Sequence, residues 1–186
     1  MDTLIFGDSM AHGFMANGKK CPCVKELQRH LGKNTIVREH GIGGEEAIHM
    51  LSRLTLTLNK YDNARRGPTI NHVVLFAGTN DIPNFLSEPK DITDAHHTLI
   101  QACGKRKVHI TTLHATILEE GSDRITAKRN KVNETIRSMA NDQVFVIDLD
   151  REKDLEVGTD GVHFTKASYK HTFQMVASSI QSCTNT

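Results

Sequence analysis

Thr3-Leu4-Ile5-Phe6-Gly7-Asp8-Ser9-Met10 is the stretch on which the reading turns. A short run of β-branched and aromatic residues stops at a glycine, and an acid and a serine follow at once. That order predicts a buried strand, a tight turn and a helix start, with the serine presented at the strand's carboxyl end. The pattern repeats along the chain. Strands are expected at Thr3–Phe6, Thr35–Val37, His72–Ala77, Val108–Leu113 and Val144–Leu149. Helical stripes fall between and after them: Val24, Leu27 and Leu31 with Pro22 in a first turn; Ala47, Leu51, Leu54 and Leu58; Ile92, Leu99 and Cys103; Ile125, Val132, Ile136 and Met139. A last stripe, Tyr169, Phe173, Val176 and Ile180, is opened by Thr165 as N-cap. Strand–helix alternation throughout implies α/β architecture: a three-layer α/β/α, flavodoxin-like domain on a five-stranded parallel sheet. No linker or repeat interrupts it, so residues 1–186 are expected to form a single domain, with 59–71, containing Arg65-Arg66-Gly67-Pro68, as its longest irregular connection.

In such a sheet, ligands bind beyond the carboxyl ends of the strands. Ser9, Gly44, Gly78-Thr79-Asn80-Asp81 and Asp160-Gly161-Val162-His163 all fall there. A serine nucleophile needs a base, and the base needs a carboxylate to hold its tautomer. His163 and Asp160, three residues apart, supply both if the fold brings them to Ser9. The tetrahedral intermediate then needs donors for its oxyanion, and the Ser9 N–H, the Gly44 N–H and the Asn80 amide are the candidates. The glycines of Gly41-Ile42-Gly43-Gly44 let backbone come close to a ligand. Asp8 and Asp81 are assigned to supporting their loops.

These four blocks, Gly7-Asp8-Ser9-Met10, Gly44, Gly78-Thr79-Asn80-Asp81 and Asp160-Gly161-Val162-His163, resemble those of the SGNH (GDSL-type) hydrolases, in the same order. The resemblance spans nearly the whole chain, with Val108–Leu113 matching the family's fourth strand and Arg129-Asn130 opening a helix typical of it. It implies hydrolysis of esters or thioesters without metal or cofactor, with Ser9, Gly44, Asn80 and His163 in the family's four named positions. The chain departs from the pattern at Met10, Glu39, Gly43 and Phe164, where Leu, Asn, Ser, and Pro or Leu are common. The Gly-x-Ser-x-Gly elbow of the α/β-hydrolases is absent, because Ala11 takes its last position.

Composition narrows the partners. A formal net charge of +1 gives no electrostatic reason to expect nucleic acid. Arg65-Arg66 and Lys105-Arg106-Lys107 read as solvated turns. No apolar run reaches the length of a membrane span, so no stable membrane insertion is expected. No signal peptide is visible, and a cytoplasmic protein is the expectation. The four cysteines lack redox or zinc spacing and read as buried or half-buried free thiols; no metal site is expected. The partner expected is therefore a small-molecule ester. Met10, Phe14, Ile82, Phe85 and Phe164 are candidates for an acyl pocket suited to short or medium chains, with thioesters and lysophospholipids as further substrates. Two alternatives stand beside this reading: a deacetylase acting on O-acetylated glycans, and a catalytically silent flavodoxin-like binding module.

Overall fold

A computed structural model describes residues 2–64 and 69–183. Five strands, β1 (Asp2–Gly7), β2 (Ile36–Gly41), β3 (Ile70–Phe76), β4 (Lys107–Thr111) and β5 (Val144–Ile147), form one all-parallel sheet in the order β2-β1-β3-β4-β5. This is the flavodoxin-like order, in which the direction of winding reverses between β1 and β3. Among the described residues six helices accompany it: α1 (Ser9–His12), α2 (Cys23–Leu31), α3 (Met50–Asp62), α4 (Pro89–Ala102), α5 (Asp123–Ser138) and α6 (Lys166–Ser182).

Strand periodicity sorts the core into two layers. Leu4 and Phe6 of β1, with Val73 and Leu75 of β3, pack against α3, α4 and α5. Ile5, Val74 and Phe76 point the other way, against α1, α2 and α6. Because β1 and β3 are covered on both faces, their residues read as continuous apolar runs.

Several details differ from the sequence expectation. β2 runs on to Gly41, because Arg38-Glu39-His40 pair through their backbones with Leu4, Ile5 and Phe6. Polar side chains on an edge strand hid that extension. Ala47 lies in a separate 3-10 turn, and α3 starts at Met50, so its inward stripe is Met50, Leu54 and Leu58 while Leu51 is 39% exposed. Arg129-Asn130 lie inside α5, which opens at Asp123 with the Ser122 hydroxyl accepting from Ile125 N–H. Arg106 is not simply solvated: its guanidinium pairs with Asp62 and donates to the Cys103 carbonyl, tying α3 to the end of α4. Within the expected 59–71 connection, α3 continues to Asp62 and β3 begins at Ile70; Arg65-Arg66-Gly67-Pro68 lie outside the described residues. The longer irregular segment is 148–165, which joins β5 to α6. Cys21, Cys23 and Cys103 are buried and Cys183 is half-buried, none in a disulfide. Among the described residues no helix is long and apolar enough to cross a membrane.

Candidate active site

At Gly7, β1 presses so closely on β3 that a Cβ there would lie 1.8 Å from the Phe76 carbonyl oxygen, and φ is +150°. Only glycine fits. The chain then turns at Asp8, whose Oδ1 accepts from Met10 N–H at 2.8 Å and caps α1. Burial pushes the Asp8 carboxyl up to about 7, against the pull of that N–H. Ser9 is therefore the first residue of α1, 7% exposed, with its hydroxyl directed at the segment that precedes α6.

That segment supplies the histidine. His163 Nε2 lies 2.9 Å from Ser9 Oγ, and its Nδ1 lies 2.8 Å from Asp160 Oδ2. The carboxylate selects the Nδ1–H tautomer and leaves Nε2 to accept from the serine hydroxyl. The other carboxylate oxygen, Asp160 Oδ1, accepts from the N–H groups of Val162 and His163, both at 3.0 Å. Burial pushes the Asp160 carboxyl up, but these N–H groups and the His163 ring outweigh it and hold the carboxyl below its ordinary value. Backbone bonds pin the surrounding turn, from Gly158 N–H to the His163 carbonyl at 2.6 Å and from Ile117 N–H to the Gly161 carbonyl at 2.7 Å. Phe14 meets the His163 ring edge-on at 4.8 Å, and its own carbonyl accepts from Tyr169 Oη at 2.8 Å.

The glycine run passes close to Ser9, where a Cβ at Gly43 would lie 3.9 Å from that of Ser9. Among the described residues, neither the Ser9 nor the Gly44 N–H has a hydrogen-bond partner. Gly44 has φ +78°, and a Cβ there would meet nothing within 4 Å, so this peptide faces open space. Asn80 Nδ2 donates to the Glu45 carbonyl at 2.9 Å, which uses one of its two hydrogens. Asp81 takes no part in this: it is buried, and its Oδ2 accepts from Ala47 N–H at 2.8 Å. The Ser9, Gly44, Asn80, Asp160 and His163 positions thus lie along one edge of the sheet, where their strands end. Among the described residues, no three or more His, Cys, Asp or Glu side chains are grouped so as to hold a metal ion.

The expected acyl wall does not assemble as a unit. Met10 (2% exposed) and Ile82 (6%) are core residues, buried beneath their loops. Phe164, 1% exposed, packs between His114 and Tyr169 and floors a cleft of about 540 Å³ with Met15, Pro22 and Lys166. Ser9 and His163 do not line that cleft. Phe14 and Phe85 keep exposed surface, and Phe85 lies under the Arg124 guanidinium at 5.1 Å.

Two further residues escaped sequence reading. His114 donates from Nε2 to the Val162 carbonyl at 2.7 Å, next to His163; burial lowers its pKa to about 4 and keeps it neutral. Lys128 donates to the carbonyls of Asp81 (2.6 Å) and Asn84 (2.7 Å), under the loop that carries Asn80. Neither sits in a recognisable motif, because each acts on backbone carbonyls distant in sequence.

Fold and site together have the form of an α/β hydrolytic enzyme, with Ser9, His163 and Asp160 joined by hydrogen bonds. The sequence profile of the GDSL-like lipase/acylhydrolase family matches residues 5–171, and the chain belongs to that family of ester-hydrolysing enzymes. No curated protein matches the sequence. Solved structures share the fold at low identity. An aryl esterase from M. smegmatis superposes with a TM-score of 0.76 at 20% identity, covering 98% of this chain and 99% of its own. A carbohydrate acetylesterase from Sinorhizobium meliloti gives 0.78 at 16%, covering 97% and 98%. A putative arylesterase from Agrobacterium tumefaciens gives 0.79 at 18%, covering 98% and 99%.

Proposed function

We propose that the protein is a serine esterase that cleaves carboxylic esters of short to medium acyl chains through an acyl-enzyme. The unbroken hydrogen-bonded line Asp160–His163–Ser9, at 2.8 and 2.9 Å, is the observation that carries this reading. Ser9 Oγ attacks the ester carbonyl while its proton passes to His163 Nε2, and Asp160 stabilises the imidazolium. The N–H groups of Ser9 and Gly44 and the second hydrogen of the Asn80 amide receive the oxyanion. His163 returns the proton to the leaving alcohol, then activates a water that releases the acid. Only neutral imidazole acts as the base, so turnover rises with pH and then levels. With Met10, Ile82 and Phe164 buried, only Phe14 and Phe85 of the expected wall keep exposed surface, and so small an apolar wall favours acetyl to butyryl groups over long chains.

Hydrolysis of p-nitrophenyl acetate, butyrate and octanoate, beside Ser9→Ala, tests both parts. Ser9→Ala should lower kcat by at least about a thousandfold. Equal rates in the two proteins would refute the nucleophile, and a preference for octanoate would refute the acyl range.

A further inference from the structure

Arg53, on the first turn of α3, lies at the convergence of the loops that carry Ser9, Gly44 and Asn80. Its guanidinium carbon sits 3.9 Å from the centre of the Phe6 ring. From there Nη2 donates to the Gly7 carbonyl at 2.9 Å, two residues before Ser9. Nη1 donates to the His40 carbonyl at 2.7 Å, just before the glycine run ending at Gly44. Nε donates to Glu45 Oε1 at 3.0 Å, and Nη2 also pairs with Glu45 Oε2. Glu45 follows Gly44 directly, and its backbone carbonyl accepts from Asn80 Nδ2. The Gly7 carbonyl is shared with Ile42 N–H at 3.0 Å, which closes the frame. One planar fork therefore grips the ends of β1 and β2 and the peptide that orients Asn80. Lysine, a point charge on a flexible stem, cannot reproduce four directed bonds.

We infer that Arg53, with Glu45 as its anchor, is a positioning residue that sets the relative placement of the three oxyanion donors. This rests on the reading of Ser9 as nucleophile and of those groups as donors. Neither side chain touches the reacting atoms; they act through Gly44 and Asn80. Oxyanion donors must already be aimed before charge develops, and loss of a whole donor costs roughly a hundredfold to a thousandfold in kcat. Displaced donors should cost less.

The test compares Arg53→Lys and Glu45→Gln with the unaltered protein on p-nitrophenyl acetate. Expected for Arg53→Lys is a fall in kcat of about ten- to a hundredfold with KM changed less than about threefold. Inhibition by an aryl trifluoromethyl ketone, whose serine adduct carries the oxyanion, should weaken by a matching factor. The pH at half-maximal kcat should not move, because His163 and Asp160 are untouched. Arg53→Lys should also add less than its full factor to the loss caused by Asn80→Ala, since part of its effect passes through Asn80. A folded Arg53→Lys protein with kcat within twofold of the original overturns the inference. So does a kcat loss without weaker ketone binding, which would place the fault elsewhere than the oxyanion donors. If Arg53→Lys does not fold, Glu45→Gln carries the same comparison, because it keeps the bonds from Arg53 to the Gly7 and His40 carbonyls. Failure of Ser9→Ala to abolish turnover would instead remove the reading on which the inference rests.

Discussion

Asp160 makes three hydrogen bonds, and only one of them is to the imidazole. Asp160→Asn keeps an oxygen for the Val162 and His163 N–H groups, so the turn should survive while the tautomer of His163 is no longer imposed. The expected result is a fall in kcat of roughly 10²- to 10⁴-fold with little change in thermal midpoint, read from steady-state kinetics beside a melting curve. Asp8 shows the opposite balance. Its Oδ2 is buried without a partner, and burial raises its pKa to about 7 from an ordinary 3.8. The folded state therefore holds a proton that the unfolded chain releases. The stability linked to Asp8 is complete below pH 3.8 and is lost as pH rises through 7. Asp8→Asn retains an acceptor for Met10 N–H and removes that loss. Its urea midpoint relative to the parent should rise between pH 5 and pH 8, and an unchanged difference would refute the assignment.

At the scale of elements, the start of α6 was legible, whereas those of α3 and α5 were not. Thr165 was readable as the N-cap of α6, and its hydroxyl accepts from Ser168 N–H at 3.2 Å. Thr165→Ala should cost about 1 kcal/mol and lower the melting temperature by about 2–4 °C, as calorimetry would report. Strands buried on both faces, β1 and β3, were legible from apolar runs. β2 was not: as an edge strand it spends Arg38, Glu39 and His40 on solvent and on Lys20 or Tyr61, so its pairing leaves no hydrophobic trace. The site divided along the same line. Residues whose side chains are proposed to act directly, Ser9, Asn80, Asp160 and His163, stood in short blocks with recognisable chemistry. Arg53, His114 and Lys128 grip backbone carbonyls across the fold, and no local pattern announces such a contact. Met10 and Ile82 were not legible as core residues for a third reason, since an apolar residue in a loop reads alike whether it faces a ligand or the core.

For the whole molecule, the distribution of neutral histidines decides the response to acid. Burial lowers His72, His96 and His114 to about 4 and His109 to about 3, from an ordinary 6.5. His72 and His109 share a hydrogen bond at 3.0 Å across β3 and β4, and His109 Nδ1 lies 2.8 Å from Ser179 Oγ on α6. Below pH 6.5 the unfolded chain binds protons that the folded core refuses, so stability falls as pH drops toward 4. Asp8 and Asp81, both raised by burial, push the other way over part of this range, but two carboxyls are set against five imidazoles, His40 being lowered by burial too, and the histidines should win. Urea unfolding between pH 7 and 4 should show a falling free energy, with a steepest slope corresponding to a net uptake of about three protons. A flat profile would refute neutral burial of these histidines.

The separation of Ser9 from His163 along the chain also orders events during synthesis. Every group proposed to hold the acyl carbon and its oxyanion is translated by residue 80, whereas the proposed proton acceptor waits for the segment that follows β5. A nascent or nicked chain ending before Asp160 would own a nucleophile and a cradle but no means of deprotonating the one or discharging the other. On that proposal hydrolysis is withheld until the late segment has docked, and the first turnover doubles as a signal that α6 has covered its face of the sheet.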